Sequence, residues 1–513
     1  MSYRALRNPL NGRLTIAGLR CSRLSGGGTD ESLCNNSYDD AKPQNGSNHW
    51  SCTENNRNNA RNVNFNNGNA NNNNKYNSNV VRAVAASDGS VPSDFLSSVY
   101  EAYEDCLRGK PRSPQAMEYM KISGDDLPQL ALELWSGSYK PGTSTCFLVK
   151  YPKWREVFAA SFRDRIVHHW ICLRLEPLFE ERFESQGNVS FNCRKGFGTD
   201  MAVKHVAEGM KHISENYRKK AWVFRGDLVG FFMSIDKDLL WYLLRRFILR
   251  WKKRYEREGW SRVSVELLNR VVGVPYMREM YWDILLRTTE VVVMHHPERD
   301  CVLNSPPQWW ERHMASNKSL FTSATGEPIG NLTTQQFANF LMSFFVSYVQ
   351  YVYRGKNYEM AQFVDDFVLC CDDKRFLTNS IPKLEVFLRD KLLLTLHKNK
   401  RYMQPVSHGI LFVGTLIKPG RLYLSNRTVG RFMERCEGYG RTLAAGGLNE
   451  YDCQHIEQTV NSYLGFCKGR ETYTIRKKAI DLMGKELYRY FIVCGHYERI
   501  RARKQYRTIT LKN

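Results

Sequence analysis

The chain has 513 residues, 42% of them hydrophobic and 12% aromatic, and carries a formal net charge of +22. That length and apolar content exclude a small binding module and a wholly disordered chain, and they leave room for a core divided among several subdomains. The positive excess points to a polyanionic partner, with nucleic acid foremost. No run of about eighteen uninterrupted apolar residues occurs, so no spanning helix and no membrane partner are expected. The N-terminus lacks the ordered regions of a secretory signal, and the 14 cysteines are scattered without framework spacing. Free thiols in a reducing cytoplasm are the expectation.

In chain order, the composition changes near residue 90. Between Asn45 and Asn79 about half the residues are Asn, four of them consecutive at Asn71 to Asn74. Asn is a poor helix and strand former, so this segment is expected to be disordered. From Phe95 onward helical spacing sets in over Phe95 to Leu107 and again over Leu127 to Trp135. Phe147 to Val157 reads as strand and turn, and Arg163 to Phe183 as a long helix. Trp222 to Ile235 and Met360 to Cys371 read as strands around acidic residues, with Phe337 to Tyr353 a buried helix between them. A charged, Trp-rich stretch at about 245–317 reads as an insertion, and helical, basic segments follow Gly420.

Chemistry concentrates in two of these segments. Phe363-Val364-Asp365-Asp366-Phe367 sets two carboxylates in a tight turn between β-formers. Burying two like charges side by side is costly unless a cation neutralises them; a solvated turn is the plainer account. Arg225-Gly226-Asp227-Leu228 through Phe231-Phe232 places a third acid on an apolar strand. Three such carboxylates suit a site for two Mg²⁺ ions in phosphoryl transfer, whereas Asp227 alone is equally a strand-end capping acid. His295, His296 and Cys301 lack a second ligand pair at useful spacing and are not read as a metal site.

The two segments resemble the palm motifs of reverse transcriptases. A third, Gly326-Glu327-Pro328-Ile329-Gly330-Asn331-Leu332-Thr333-Thr334-Gln335, lies between them in the expected order. It is most similar to the motif of diversity-generating retroelement reverse transcriptases, P-I-G-N-L-T-S-Q, with Thr334 in place of Ser. Group II intron and retroviral enzymes usually carry Gln where this chain has Ile329. Tyr151-Pro152-Lys153-Trp154-Arg155-Glu156-Val157, Cys193-Arg194-Lys195-Gly196-Phe197-Gly198-Thr199, Leu394 to Lys400 and Gly409 to Gly414 match further family segments. Phe363 stands where Tyr is commoner.

The resemblance implies an α+β, right-hand polymerase fold: a disordered segment over residues 1–94, fingers over 95–220, palm over 221–425 and a helical, basic thumb over 426–513. It implies an RNA-directed DNA polymerase with Asp227, Asp365 and Asp366 as metal-binding carboxylates. The Leu228 carbonyl would be a further ligand, and Mg²⁺ the cofactor, with Mn²⁺ as a substitute. Lys153 and Arg155 would hold the triphosphate, the guanidinium fork being the better match to phosphate oxygens. Phe232 would exclude a 2′-hydroxyl. Ile329, Gly330 and Gln335 would line the nucleotide site, and Lys400 would protonate the leaving pyrophosphate, a solvated lysine being the alternative. Template RNA, cDNA, dNTPs and an accessory variability-determining protein are the implied partners.

Ser47 to Ser51 and Lys75 to Val84 resemble the carboxy-terminal end of the variable proteins these retroelements diversify. Residues up to about Ala86 therefore read as translated template repeat, or as an ordinary low-complexity tail. The next methionine after Met1 is Met117, which fits a non-ATG start near residue 90. Beyond Arg470, interleaved cations and tyrosines suit RNA contacts. A retron or phage-defence reverse transcriptase, and a non-catalytic RNA-binding scaffold with a polymerase fold, remain the competing readings.

Overall fold

The computed structural model describes residues 48–54, 59–64, 70–74, 91–108, 113–150, 153–258, 281–316 and 318–506. Within the Asn-rich segment, β1 (Asn48–Glu54), β2 (Asn59–Asn64) and β3 (Ala70–Asn74) form an antiparallel sheet in the order β1-β2-β3. These residues depart from the expected disorder. Their composition argues against burial, but the backbone ladder pairs regardless of side chain. The stretches 1–47 and 75–90, with the Lys75 to Val84 motif, lie outside the described residues, as do Tyr151 and Pro152.

Helix α1 (Ser93–Arg108) opens the main body and α2 (Pro114–Ser136) follows. The latter is far longer than Leu127 to Trp135 because both ends are capped. Ser113 accepts from the Ala116 amide, Pro114 occupies the first helical position, and Gly137 closes the helix at φ 78°. Strands β4 (Ser144–Val149) and β5 (Arg155–Ala159) pair antiparallel, and α3 (Phe162–Ser185) and α4 (Thr199–Ile213) follow. Strand β6 (Trp222–Asp227) ends earlier than the sequence pattern suggested. Gly230 at φ 54° turns the chain into the short helix α5 (Phe231–Ser234), and α6 (Lys237–Glu258) comes next. The remainder of the Trp-rich stretch supplies α7 (Trp282–Met294), β7 (Cys301–Leu303) and α8 (Pro307–Ser316). It is no appendage: β7 pairs parallel with β4, and Trp282, Ile284 and Leu285 join the main core.

Helix α9 (Leu332–Val352) leads to the hairpin β8 (Tyr358–Phe363) and β9 (Asp366–Cys371), then α10 (Lys374–Lys391) and β10 (Tyr402–Pro405). The central sheet has the order β10-β6-β9-β8, all antiparallel. Both faces are covered, which explains its nearly continuous apolar strands. Side chains divide between the faces with period two. Phe224, Met360, Phe367 and Leu369 enter the core that includes α9, while Val223, Ala361, Val368 and Cys370 pack with α4 residues Val203, Val206 and Met210. Gly226 sits opposite Phe367, whose ring would lie 2.4 Å from any Cβ there.

Strands β11 (Ile410–Phe412), β12 (Thr415–Lys418) and β13 (Arg421–Leu424) form a small meander. Beyond it α11 (Asn426–Ala445), α12 (Glu450–Cys467), α13 (Tyr473–Asp481), α14 (Leu487–Tyr490), β14 (Phe491–Cys494) and β15 (Arg499–Ala502) share a second core. The basic end is thus largely a strand: Ile500 and Ala502 face inward while Arg499, Arg501 and Arg503 are exposed. Among the described residues eleven cysteines are free thiols, and no helix is long and apolar enough to cross a membrane.

Candidate active site

The central sheet brings Asp227 beside the sequence-distant pair Asp365-Asp366 at one end of its two inner strands. Asp227 ends β6 directly opposite Asp366, the first residue of β9, and Asp365 occupies the turn between β8 and β9. That turn is constrained. Val364 takes φ 56°, an unfavourable value for a β-branched residue, and three bonds fix it. The Val364 amide donates to Asn192 Oδ1 (3.0 Å), Gln362 Nε2 donates to the Val364 carbonyl (2.7 Å), and Asn339 Nδ2 donates to the Asn192 carbonyl (3.2 Å). Asn192 was invisible as a site residue in the sequence, since its partners lie 172 and 147 positions away.

Electrostatics separate the three acids. Burial, then Asp366 and Asp227, push the Asp365 carboxyl up to about 6. Burial also raises Asp366, against the pull of Arg225, which grips it through Nε and Nη2 at 2.8–3.0 Å, reaching both carboxylate oxygens. Asp227 accepts from Lys400 Nζ at 2.7 Å, so the lysine expected as a general acid stands against a carboxylate. The Asp227 carbonyl accepts from the His397 amide, and the Val229 amide donates to the Thr395 carbonyl. By strand alternation the Leu228 carbonyl lies on the opposite side of the strand from the Asp227 carbonyl.

The donor set fits a divalent cation in part. Asp365 is a buried acid whose ionisation is disfavoured by its neighbours, the situation a cation relieves. Asp227 and the Leu228 carbonyl offer the hard oxygen ligands Mg²⁺ prefers, provided Lys400 yields its oxygen. Asp366, expected as a ligand, is instead committed to Arg225. Among the described residues no group of three or more His, Cys, Asp and Glu side chains is gathered to hold a metal ion.

The residues expected to line a nucleotide site fall around a second junction. The Glu327 amide donates to the Phe232 carbonyl (2.8 Å) and the Phe158 amide to the Ile329 carbonyl (2.7 Å), so the Gly326 to Gly330 segment links α5 to β5. Gly330, at φ 131°, lies so close to β5 that a Cβ would stand 2.3 Å from the Phe158 carbonyl oxygen. Ile329 is half-buried against the cluster of Cys146, Phe158, Met233 and Leu320. Phe232 is half-buried beside Phe231, with ring centroids 5.3 Å apart. Gln335 is exposed and accepts from the Cys193 thiol at 3.1 Å. Arg155 begins β5 opposite Val149, and Lys153 is exposed just before it.

Two buried acids here escaped sequence reading. Glu156, fully buried, accepts from Ser319 Oγ (2.6 Å), the Leu320 amide and His313 Nε2 (3.2 Å), sealing β5 against the loop after α8. Glu327 is also buried. Burial pushes its carboxyl up to about 8, with Lys237 and a 3.5 Å contact from Thr334 Oγ1 acting the other way. His168 and His169 are packing residues: His168 is buried with Nδ1 2.7 Å from Thr333 Oγ1, and His169 meets Asp105 at 2.7 Å.

No protein-family model matches the chain, and no curated protein does. Among solved structures, it is similar to the apo telomerase of Candida tropicalis, with 13% identity, a TM-score of 0.40, and coverage of 68% of this chain and 61% of that one. The telomerase of Candida albicans, in complex with a TWJ fragment of telomeric RNA, gives 12% identity, a TM-score of 0.38, and coverage of 69% and 61%. A Candida tropicalis telomerase lacking its C-terminal domain gives 10%, 0.37, and 55% of each chain. The chain thus spans 53–61% of the length of the telomerases it matches.

Proposed function

We propose that the chain is an RNA-directed DNA polymerase of the right-hand type, making cDNA from a template-repeat RNA with errors directed to template adenines. The observation that carries the reading is the convergence of Asp227 and the Asp365-Asp366 turn on adjacent antiparallel strands, with Phe232, Ile329 and the Arg155 strand tied together beside them. Mg²⁺ held by Asp227, Asp365 and the Leu228 carbonyl would supply the charge neutralisation that phosphoryl transfer requires. The chain's own residues do the rest by positioning and fixed charge. Arg155 and Lys153 grip the triphosphate, Phe232 sits against the sugar, and Lys400 is the proton donor within reach of the site. Arg225 holds Asp366 so that the turn keeps its shape.

Diversification of a target gene, with an accessory variability-determining protein, is supported by the Pro328-Ile329-Gly330-Asn331 motif. Primer extension on an RNA template, with dNTPs and Mg²⁺ and then with EDTA, tests the reading. Chelator-sensitive cDNA is the expected result. Tight RNA binding with no extension in Mg²⁺ or Mn²⁺ would favour the scaffold reading, to which the hold of Lys400 and Arg225 on two of the three acids also lends weight.

A further inference from the structure

The Trp-rich stretch contains two adjacent tryptophans with opposite fates. Trp310 turns inward against Phe321, with ring centroids 5.8 Å apart and its ring on the Cys146–Phe158 cluster. Trp309 remains 40% exposed and meets the half-exposed Trp154 at 5.2 Å and 66°. A few residues earlier Val302 and Leu303 are 59% and 52% exposed on β7, the edge strand of the β5-β4-β7 sheet. Exposed apolar groups clustered within eight residues of a strongly charged chain mark a contact surface.

The face on which this surface lies follows from strand alternation. Glu156 points to α8, where it meets His313. Trp154, two residues earlier, meets Trp309, one helical turn before His313. Trp154, just before β5, and Glu156 thus both face α8, and Arg155, alternating with Glu156, lies on the other face of β5. A cation flanks the aromatic step: Lys150 Nζ lies 6.0 Å from the Trp154 ring centroid. Stacking faces flanked by an ammonium group match unpaired nucleotides, whose bases stack and whose phosphates carry charge.

We propose that Trp154 and Trp309 form a stacking platform for unpaired RNA outside the catalytic cleft, with Lys150 taking an adjoining phosphate. The platform rests on the reading of the chain as an RNA-templated polymerase and adds to it a second, cleft-independent hold on the RNA strand. It would keep a long unpaired template attached between rounds of nucleotide addition.

The test uses the full chain and two primed RNAs with the same duplex, one carrying a two-nucleotide and one a twenty-nucleotide 5′ overhang. Binding is measured directly by fluorescence anisotropy of labelled RNA. Trp309→Ala is expected to weaken long-overhang binding about tenfold and to leave short-overhang binding within twofold. Trp309→Phe, which keeps a stacking ring, should restore most of the loss, a result that a folding defect in the Ala variant would not give. Unchanged long-overhang affinity in Trp309→Ala overturns the platform, as does an equal loss on both RNAs. A loss of self-association or of protein capture without any change in RNA affinity overturns it in favour of a protein-docking surface. Because affinity is read without catalysis, failure of the wild type to extend either primer strikes the polymerase reading and leaves the platform to be judged on binding.

Discussion

Arg225 and Asp366 are diagonal neighbours across β6 and β9: Arg225 stands two residues before Asp227, and Asp366 lies directly opposite Asp227. Residues two apart on a strand share a face, so the guanidinium reaches the carboxylate beside Asp227 in bidentate fashion. One of the two adjacent acids is thereby neutralised by the protein itself, leaving Asp365 as the acid without a cation at hydrogen-bond distance.

This division of labour predicts unequal consequences for the two isosteric changes. Asp365→Asn is expected to abolish extension of a primed RNA, by about a hundredfold or more, with RNA affinity nearly intact. Asp366→Asn should cost clearly less, because its charge already belongs to Arg225. Single-turnover extension with matched binding curves measures both, and equal losses would refute the distinction.

Removing the cation should show in stability. Arg225→Met leaves Asp366 largely buried beside Asp227 without its partner, and a loss of about 2–3 kcal/mol is expected. Adding Asp366→Leu should recover most of it, since two apolar groups no longer need pairing. Urea unfolding of both single variants and the double variant provides the cycle.

Gly330→Ala is expected to destabilise by about 1–3 kcal/mol and to raise the KM for dNTP more than it lowers kcat. The new Cβ meets the Phe158 carbonyl of the strand that carries Arg155. Gly430→Ala, in the interior of α11 with open space around it, is the control and should be neutral or slightly stabilising. Similar kinetics in the two variants would detach Gly330 from the nucleotide grip.

The carboxylate cluster was legible because its acids interrupt apolar, β-forming runs, and the continuous apolar run Phe367 to Cys371 marked a strand, which the structure covers on both faces. The ion pairs made by the cations were not legible. Arg225 reads as an ordinary strand charge until β9 is laid beside it, and Lys400 reaches Asp227 across 173 positions. Glu156 failed for the same reason, since all three of its donors lie more than 150 residues away. In the Asn-rich segment, reading composition as burial potential missed that backbone pairing in β1 to β3 requires none.

Glu327 gives a pH signature separate from that of Asp227, Asp365 and Asp366. Its folded-state value of about 8 lies above the ordinary 4.5. Between those values the folded chain holds a proton that the unfolded chain releases, so stability present below pH 4.5 is lost as the pH rises through about 8. Lys237 and Thr334 oppose this shift, and Asp164, His168 and His295 line the same cavity. Glu327→Gln cannot ionise and keeps an acceptor for Thr334. It is expected to unfold near the wild-type temperature at pH 5 and a few degrees above it at pH 8.5. Parallel melting profiles at both pH values would show that Glu327 does not titrate in this window.

Ile329 carries the fidelity prediction. Its carbonyl holds the Phe158 amide, and its side chain lies on the junction between α5, which bears Phe232, and β5, which begins at Arg155. A Gln here can hydrogen-bond to the nascent pair or to the incoming nucleotide, whereas an aliphatic side chain can only pack. Each tenfold in error ratio corresponds to about 1.4 kcal/mol, so one orienting hydrogen bond is enough to matter. Template adenine, like template uracil, pairs through two hydrogen bonds rather than three and so has less to lose before a mismatch competes. That count does not by itself explain adenine selectivity. The wild type is therefore expected to misincorporate mainly opposite adenine, and Ile329→Gln to lower that error more than it lowers total synthesis. Deep sequencing of cDNA made by both proteins on one template, normalised to full-length yield, decides the matter. Equal adenine error rates would leave Ile329 with packing as its whole role.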